Sequence, residues 1–134
     1  MKRFAIVFSI LPVLAFATAC GTATTTITGN YGTKITTPAS VAGTYTPNFN
    51  KNGTGTVEVN GQPTGHTFTF KGSTLTAPGG GENVCPTSGT YRIHLAGKHL
   101  TLKVIHDTCT IGRAQIMPGH IWTKVYSRTL GTQR

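Results

Sequence analysis

Hydrophobic and polar residues alternate with a period of two over most of the chain. In "GTYRIHL", Tyr91, Ile93 and Leu95 fall on one face of a strand, and Arg92 and His94 fall on the other. This alternation is typical of β-strands that bury one face. The other segments of this kind are "AGTYT", "GTVEVN", "GHTFTFK", "GSTLTA", "KHLTLKVI" and "HIWTKVYS". The pattern therefore predicts an all-β protein of about seven to eight strands.

Short segments rich in Gly, Pro and Asn separate these strands. "NGQPTG", "KGS" and "AGK" have the length and composition of hairpin turns, which predicts an antiparallel meander. One hydrophobic face per strand is buried best if the meander closes as a small up-and-down barrel, because an open sheet leaves unpaired edges. A flattened sandwich is the alternative. "GRAQIMPG" predicts one short helical turn near the C-terminal end, before Pro118.

Residues 1–19 have the features of a signal peptide. "MKR" is followed by an apolar run of 13 residues, which is too short to span a bilayer. The next residues, "ATAC", allow cleavage after Ala19 by ordinary signal peptidase, or lipobox processing that leaves a lipidated Cys20 as the N-terminus. The sequence favours lipidation, with palmitate-type acyl chains. We therefore predict an exported bacterial protein, anchored to the membrane through Cys20 and facing outward, or secreted if no lipid is added.

The cysteine count agrees with lipidation. If Cys20 carries lipid, Cys85 and Cys109 remain as a pair, and a pair of cysteines in an oxidising environment is expected to form a disulfide. Residues 20–40 are rich in Thr and Gly, which predicts a flexible tether, although a short strand there is an open alternative. The barrel domain is predicted to cover residues 41–134.

The positive charges are spread along the chain. From Cys20 onward the protein has ten basic and three acidic residues, a net charge of +7. No polybasic run or interleaving of basic and aromatic residues is present, so we expect no nucleic-acid partner. The charge predicts solubility and weak adhesion to anionic surfaces, and we expect a monomer.

Several motifs follow one another in a specific order. They are "GTY" at 43–45, "GTYRI" after Cys85, "LTLKV" at 100–104, "D-x-C" at 107–109, Arg113 and "W-x-K" at 122–124. In this combination the chain resembles small exported bacterial lipocalin-like (calycin-type) β-barrel lipoproteins, mostly of unknown function. The similarity covers roughly residues 41–126, and Tyr45 takes the place of the tryptophan in the lipocalin G-x-W motif.

The resemblance implies that four residues close the barrel. A lipocalin arginine near the last strand packs over the G-x-W aromatic, so Arg113 is expected to stack on Tyr45 in a cation–π contact. Asp107 is expected to hold Arg113 or to cap the turn after its strand. Trp122 completes the set, and the disulfide is expected to tie this corner to the preceding loop.

Candidate catalytic and metal sites are weak. No two histidines have metal-ligand spacing, and only His94 and His99, which flank a turn, could approach each other, with His106 or Asp107 as a third ligand. Cys109 beside His106 and Asp107 imitates a thiol triad, but a disulfide would remove the nucleophile. The chain has no G-x-S-x-G elbow and no phosphate-binding loop. We therefore expect no enzyme, no metal and no cofactor.

The barrel interior is the remaining candidate site, because a small calycin barrel can enclose one apolar ligand. The residues expected to line it are Val57, Val59, Phe68, Phe70, Tyr91, Ile93, Leu100, Leu102 and Val104. The same side chains could instead fill the interior. We predict a non-enzymatic lipoprotein that binds a small hydrophobic ligand, or, as the alternative, a cell-surface interaction module that binds a protein or an anionic envelope polymer.

Overall fold

Eight antiparallel strands form a closed barrel in a computed structural model that describes residues 26–80 and 85–126. Each strand pairs with the next, and β8 pairs with β1. The strands are β1 Gly29–Ile35, β2 Gly43–Phe49, β3 Thr54–Val59, β4 Gln62–Lys71, β5 Thr74–Ala77, β6 Gly89–Ala96, β7 His99–His106 and β8 Ile121–Val125. This confirms the predicted up-and-down barrel and excludes the flattened sandwich.

Two short helical segments lie in the connections. A 3-10 turn, Ala39–Val41, connects β1 to β2, and helix α1, Arg113–Ile116, lies between β7 and β8. Helix α1 confirms the helical turn predicted before Pro118. None of the helices in the described ranges is long and apolar enough to cross a membrane. The predicted signal peptide, residues 1–19, and Cys20 lie outside those ranges.

Strand β1 lies inside the segment that was predicted to be a flexible tether. It pairs with β2 from Gly29↔Phe49 to Ile35↔Gly43, and with β8 through residues 30–32. Tyr31 and Ile35 are both only 2% exposed. The tether prediction was therefore wrong for residues 29–35, and the barrel begins before residue 41. Large apolar side chains occupy only every second inward position here, so the Thr- and Gly-rich sequence concealed the strand.

The hairpin between β3 and β4 illustrates how local sequence sets the register. Asn60 and Gly61 both have positive φ, at 52° and 76°. A two-residue hairpin turn with positive φ at both positions has the twist that fits two antiparallel strands, and Asn-Gly is the sequence that adopts it most readily. The turn places Val59 opposite Gln62.

An aromatic cluster fills the end of the barrel that carries the β2–β3 and β4–β5 turns. Phe49 packs edge-on against Tyr31, Phe68 and Phe70, with ring centroids 5.5, 4.9 and 5.2 Å away. The ring of Phe68 occupies the place where a Cβ at Gly55 would lie. Glycine at this position of β3 therefore allows the ring to enter the interior.

The opposite end of the barrel carries the two longest connections. Because the strands alternate in direction, the connections after β1, β3, β5 and β7 all lie at this end. The connection after β7 covers residues 107–120 and includes α1. Strand β8 pairs only with His99–Thr101 of β7, so the later part of β7 has no β8 residue beside it.

Val104 was predicted to line the interior, but the short pairing of β7 with β8 leaves it uncovered. Val104 lies beyond the part of β7 that pairs with β8, and it is 42% exposed. The prediction that Val104 lines the interior was therefore wrong. The period-two pattern continues through Val104, but the neighbouring strand that would cover it does not.

Candidate functional site

A disulfide fastens the two long connections to each other. Cys85 and Cys109 are bonded, with their Cα atoms 5.2 Å apart and a sequence separation of 24. This confirms the predicted pairing. The bond joins the segment before β6 to the segment after β7. We refer to this disulfide, together with Asp107 and Arg113, as the clasp.

Asp107 and Arg113 form a bidentate ion pair. Nε of Arg113 donates to Oδ2 of Asp107 at 2.8 Å, and Nη2 donates to Oδ1 at 2.7 Å. The two side chains are 9% and 1% exposed for arginine and aspartate, respectively. Parallel, charge-assisted bonds of this kind are among the stronger ones in proteins and fix the geometry of both groups.

The Asp107 carboxylate accepts two further hydrogen bonds. The backbone N–H of Cys109 donates to Oδ1 at 2.8 Å, and the hydroxyl of Tyr91 donates to Oδ2. Asp107 thus holds Arg113 and also caps the turn after β7, so both of the roles considered from the sequence are present. Gly89 leaves the space for this arrangement, since a Cβ there would lie 2.5 Å from Oδ2 of Asp107.

The remaining donors of Arg113 bind backbone carbonyls of another segment. Nη1 donates to the carbonyl of Ala77 at 3.4 Å and to that of Pro78 at 3.2 Å. Nη2 donates to the carbonyl of Thr87 at 2.7 Å. The guanidinium therefore joins the end of β5, the β5–β6 connection and the turn after β7, and all five of its N–H groups are engaged.

The expected contact between Arg113 and Tyr45 is not formed. The Tyr45 hydroxyl donates to the carbonyl of Val41 at 2.8 Å, and the Arg113 guanidinium is held by two hydrogen bonds to the Asp107 carboxylate. The cation–π contact in the described residues joins Lys124 to Tyr31, with Nζ 5.9 Å from the ring centroid. The stacking prediction was therefore wrong, because Asp107 competes successfully for the guanidinium.

The clasp also perturbs the pKa values of its members. The hydrogen bonds from Arg113 hold the pKa of Asp107 well below its ordinary value, outweighing the opposite effect of burial. Burial, followed by the hydrogen bond to Asp107, raises the pKa of the Tyr91 hydroxyl. Asp107 therefore stays ionised and Tyr91 stays protonated over the whole neutral range. A carboxylate that is ionised and fully hydrogen-bonded in this way is suited to fastening the connections.

The barrel contains a cavity of about 430 Å³ that is partly open to solvent. This volume lies within the range of about 300–1,000 Å³ that is typical of small-molecule pockets. Five of the residues predicted to line the interior contribute to its wall: Val57, Val59, Phe68, Leu100 and Leu102. The barrel interior is thus partly filled and partly open.

Three other predicted lining residues pack elsewhere in the core. Tyr91 is completely buried and sends its hydroxyl to Asp107, and Ile93 is 5% exposed within the core. Phe70 packs against Phe49 in the aromatic cluster. They face inward as predicted, but the cavity occupies only part of the interior and does not reach them.

Several cavity residues were not predicted to line it. Phe49 and Leu75 continue the period-two patterns of β2 and β5, so the alternation could have identified them. Ile116, the last residue of α1, and Met117, which follows it, reach the wall and pack against the core. A single helical turn has no usable periodicity, so the sequence contained no signal for these two. Trp122, predicted to close the barrel, also lines the cavity.

Polar groups on the cavity wall are few. Tyr45 and Arg113 both line the cavity, and the hydroxyl of Tyr45 and the guanidinium of Arg113 both have protein partners. His66 and Thr67 of β4 contribute to the wall and are exposed to solvent. The indole N–H of Trp122 is different, because Trp122 is 2% exposed and Nε1 has no hydrogen-bond partner in the part of the chain that the structure describes.

No metal-binding group is formed by residues 26–80 and 85–126, where no three His, Cys, Asp or Glu side chains lie close enough to hold an ion. His99, one of the candidate ligands, instead lies 3.3 Å from the hydroxyl of Thr123 through Nδ1. Comparisons of the chain with protein families, with curated proteins and with solved structures found no match. The cavity and the clasp are therefore the basis for assigning a function.

Proposed function

We propose that the protein is a non-enzymatic, exported binding protein whose lipocalin-like barrel holds a small hydrophobic ligand. The observation that carries this proposal is the cavity of about 430 Å³, which is lined mainly by apolar side chains of strands β2–β5, β7 and β8. A preformed apolar cavity with few polar groups is the usual form of a small-molecule site. The resemblance to calycin-type lipoproteins supports the same function.

The closed barrel is compatible with ligand binding. Each 100 Å² of apolar ligand surface that the cavity removes from water contributes about 2.5 kcal/mol before the cost of association. The clasp ties together the connections at one end of the barrel, and the aromatic cluster fills the other. The wall therefore needs little rearrangement to receive a ligand, which favours affinity.

The N-terminal sequence supports a location for this function. A signal peptide over residues 1–19 and a lipidated Cys20 would place the barrel at the outer face of a bacterial cell membrane. Radiolabelled palmitate incorporated into the wild-type protein but not into Cys20→Ser would support this location. Equal labelling of the two proteins would contradict it.

The experiment that tests ligand binding uses a neutral apolar dye, N-phenyl-1-naphthylamine, and a cavity-filling variant. We expect saturable fluorescence enhancement with the wild-type protein. Leu102→Trp places a larger side chain on the cavity wall and should weaken binding at least about tenfold, or about 1.4 kcal/mol. Val104→Trp is the matched control, because it adds the same group two residues away on β7, at an exposed position.

Overpacking can also destabilise the fold by about 1–3 kcal/mol. Circular dichroism must therefore show that Leu102→Trp is folded at the assay temperature. If it is not, Val59→Phe fills the cavity from a half-buried position on β3. The proposal fails if the wild-type protein does not bind the dye, or if the folded cavity-filled variant binds it as tightly as the wild type.

A second candidate function is a cell-surface interaction module. It is favoured by large apolar side chains that are exposed on and beside β7 and β8: Val104, Ile105, Ile111, Ile121, Val125 and Tyr126. Single exposed apolar residues are common on monomers and carry little weight alone. The two functions separate in the dye assay, because an interaction module does not need an accessible cavity.

A further inference from the structure

We infer that the ligand is a single-chain amphiphile, whose apolar chain lies in the cavity and whose polar head group lies in an opening through the side of the barrel. This inference rests on the proposed function and specifies the class and the orientation of its ligand. The opening, which we call the side slot, lies between residues 65–67 of β4 and residues 78–80 of the β5–β6 connection.

The residues that border the cavity follow two different patterns. Along β2, β3 and β7 they are alternate residues, as expected for the inner face of paired strands: Tyr45, Pro47, Phe49, Val57, Val59, Leu100 and Leu102. Residues 65–68 of β4 and residues 77–80 instead border it consecutively. A strand presents consecutive residues to one space only along its edge, because successive side chains point to opposite faces. The cavity therefore extends outward between these two segments.

The pairing of β4 with β5 ends at the same place. The two strands pair only over residues 69–71 of β4 and 74–76 of β5. In the same register Thr67 would lie opposite Pro78, but no pair forms between them. Proline has no N–H with which to continue the ladder. The wall of the barrel is therefore interrupted beside residues 65–67.

Solvent exposure locates the opening of the cavity in this interruption. Of the described residues that border the cavity, only those at 65–67 and 78–80 are exposed, and the others are buried or half-buried. A Cβ at Gly65 or at Gly80 would meet no atom within 4 Å apart from its chain neighbours. The cavity therefore opens to solvent through the side slot.

The clasp holds one border of the side slot in place. Nη1 of Arg113 donates to the carbonyls of Ala77 and Pro78 at 3.4 and 3.2 Å. Gly79 lies so close to the backbone of Thr87 that a Cβ on Gly79 would overlap it. These contacts hold the β5–β6 connection against the segment before β6 and not against β4. The contacts that form the clasp thus also keep the slot open.

The interior of the cavity suits apolar groups and not a charge. Of the described residues that border it, Arg113 is the only lysine, arginine, aspartate or glutamate. Its charge is neutralised by Asp107, and its N–H groups are engaged. A charged or strongly hydrated group inside the cavity would lose its hydration without gaining a counter-charge, which is strongly unfavourable.

The side slot offers the opposite environment. It is exposed to water and bordered by His66 and Thr67, so a head group placed there keeps most of its hydration. A wholly apolar ligand would leave part of its own surface in water at the same place. The cavity volume of about 430 Å³ is near the lower end of the range for small-molecule pockets, which favours one chain over two. A single-chain amphiphile therefore fits both environments.

The first test compares two probes with the same ten-carbon chain, 1-decanol and decyl maltoside. Each competes against N-phenyl-1-naphthylamine below the critical micelle concentration. A disaccharide buried in an apolar cavity would lose its hydrogen bonds to water, so binding requires that it stay outside. We expect decyl maltoside to bind with an affinity within about threefold of that of 1-decanol, or about 0.7 kcal/mol.

The second test locates the head group in the wild-type protein. The ester of decanoic acid with 4-hydroxy-TEMPO carries a nitroxide in its head group, which broadens the NMR resonances of nearby amides. We expect Gly65, Thr67 and Gly80 to lose more intensity than Gly53 and Gly72, which lie in turns at the opposite end of the barrel.

The third test obstructs the side slot. His66→Trp enlarges a side chain on its border and should weaken the binding of decyl maltoside at least about tenfold, or about 1.4 kcal/mol. Thr69→Trp is the matched control, because Thr69 is an exposed residue of the same strand that does not border the cavity. It should bind decyl maltoside like the wild type. Circular dichroism must show that both variants are folded, and the nitroxide experiment decides if His66→Trp is not.

Three results would overturn the inference while the proposed function stands. They are decyl maltoside that binds more than about tenfold more weakly than 1-decanol, a folded His66→Trp that binds decyl maltoside as the wild type does, and nitroxide broadening that is strongest at Gly43 and Gly61. The last result would place the head group at the end of the barrel, beside the β1–β2 and β3–β4 connections. If neither the dye nor 1-decanol binds, the proposed function fails and the inference fails with it.

Discussion

Replacing Asp107 by asparagine keeps the shape of the side chain and removes its charge. In the wild-type protein the carboxylate accepts four hydrogen bonds: two from Arg113, one from the Tyr91 hydroxyl and one from the backbone of Cys109. The asparagine NH₂ group would face donors instead. The Arg113 guanidinium, only 9% exposed, would remain buried without a counter-charge.

The expected cost follows from this geometry. Removing one partner of a buried ion pair costs about 3–5 kcal/mol, since the other charge is left uncompensated. For a domain of this size, each kcal/mol corresponds to a change of about 4–8 °C in Tm. Asp107→Asn should therefore lower Tm by at least about 12 °C while the disulfide remains intact.

The effect should also depend on pH. The pKa of Asp107 is lowered in the folded protein from its ordinary value of 3.8, so the carboxylate contributes its full stability above that value. That contribution is lost progressively as the pH falls below about 4, toward the lower pKa of the folded state. The difference in stability between the wild-type protein and Asp107→Asn should be largest near pH 7 and smaller at pH 3.

Urea denaturation at pH 7 and at pH 3 measures both effects, with Trp122 fluorescence and far-ultraviolet circular dichroism as probes. Glu58→Gln is the matched control, because it removes an exposed carboxylate from β3 and should change the free energy of unfolding by less than about 0.5 kcal/mol. A free energy of unfolding of Asp107→Asn within about 1 kcal/mol of the wild-type value at pH 7 would show that the ion pair does not stabilise the fold as expected. A larger difference that is the same at both pH values would also contradict this expectation.

Two further changes act on the same end of the barrel. Gly89→Ala places a Cβ 2.5 Å from Oδ2 of Asp107 and should lower the free energy of unfolding in urea by about 1–3 kcal/mol. Gly43→Ala is its control, because a Cβ there would have only ordinary contacts. Equal stability of the two variants would contradict the close approach of Asp107 to Gly89. Replacing both Cys85 and Cys109 by serine should lower the free energy of unfolding by roughly 3 kcal/mol, since the bond closes a loop between cysteines with a sequence separation of 24. A urea midpoint unchanged from that of the oxidised wild type would show that the disulfide does not stabilise the fold.

The period-two pattern predicted most of the barrel, because a strand that buries one face must alternate. It failed where the burial of a residue depends on a neighbour that is not visible in the sequence. Val104 continues the alternation of β7 but has no β8 residue beside it. Tyr31 and Ile35 are buried, although Gly and Thr around them suggested a tether.

The candidate site was predicted less completely than the fold. The disulfide followed from the number of cysteines, and the importance of Asp107 and Arg113 followed from a family resemblance. The choice of Asp107 over Tyr45 as the partner of Arg113 is a matter of geometry in three dimensions. The unpaired N–H of Trp122 could not be predicted either, because it depends on which acceptors the folded chain brings near.

The early start of β1 sets how far the barrel could extend from a lipid on Cys20. Ile27 is already packed into the core, so only seven residue steps separate it from Cys20. A fully extended chain covers at most about 3.6 Å per residue, so Ile27 can lie at most about 25 Å from Cys20. This distance is shorter than the hydrocarbon thickness of a bilayer, which is roughly 30 Å. Acylated at Cys20, the protein would be confined to the layer next to the headgroups. Because β1 enters at the end opposite the clasp, the clasp would be oriented away from the membrane.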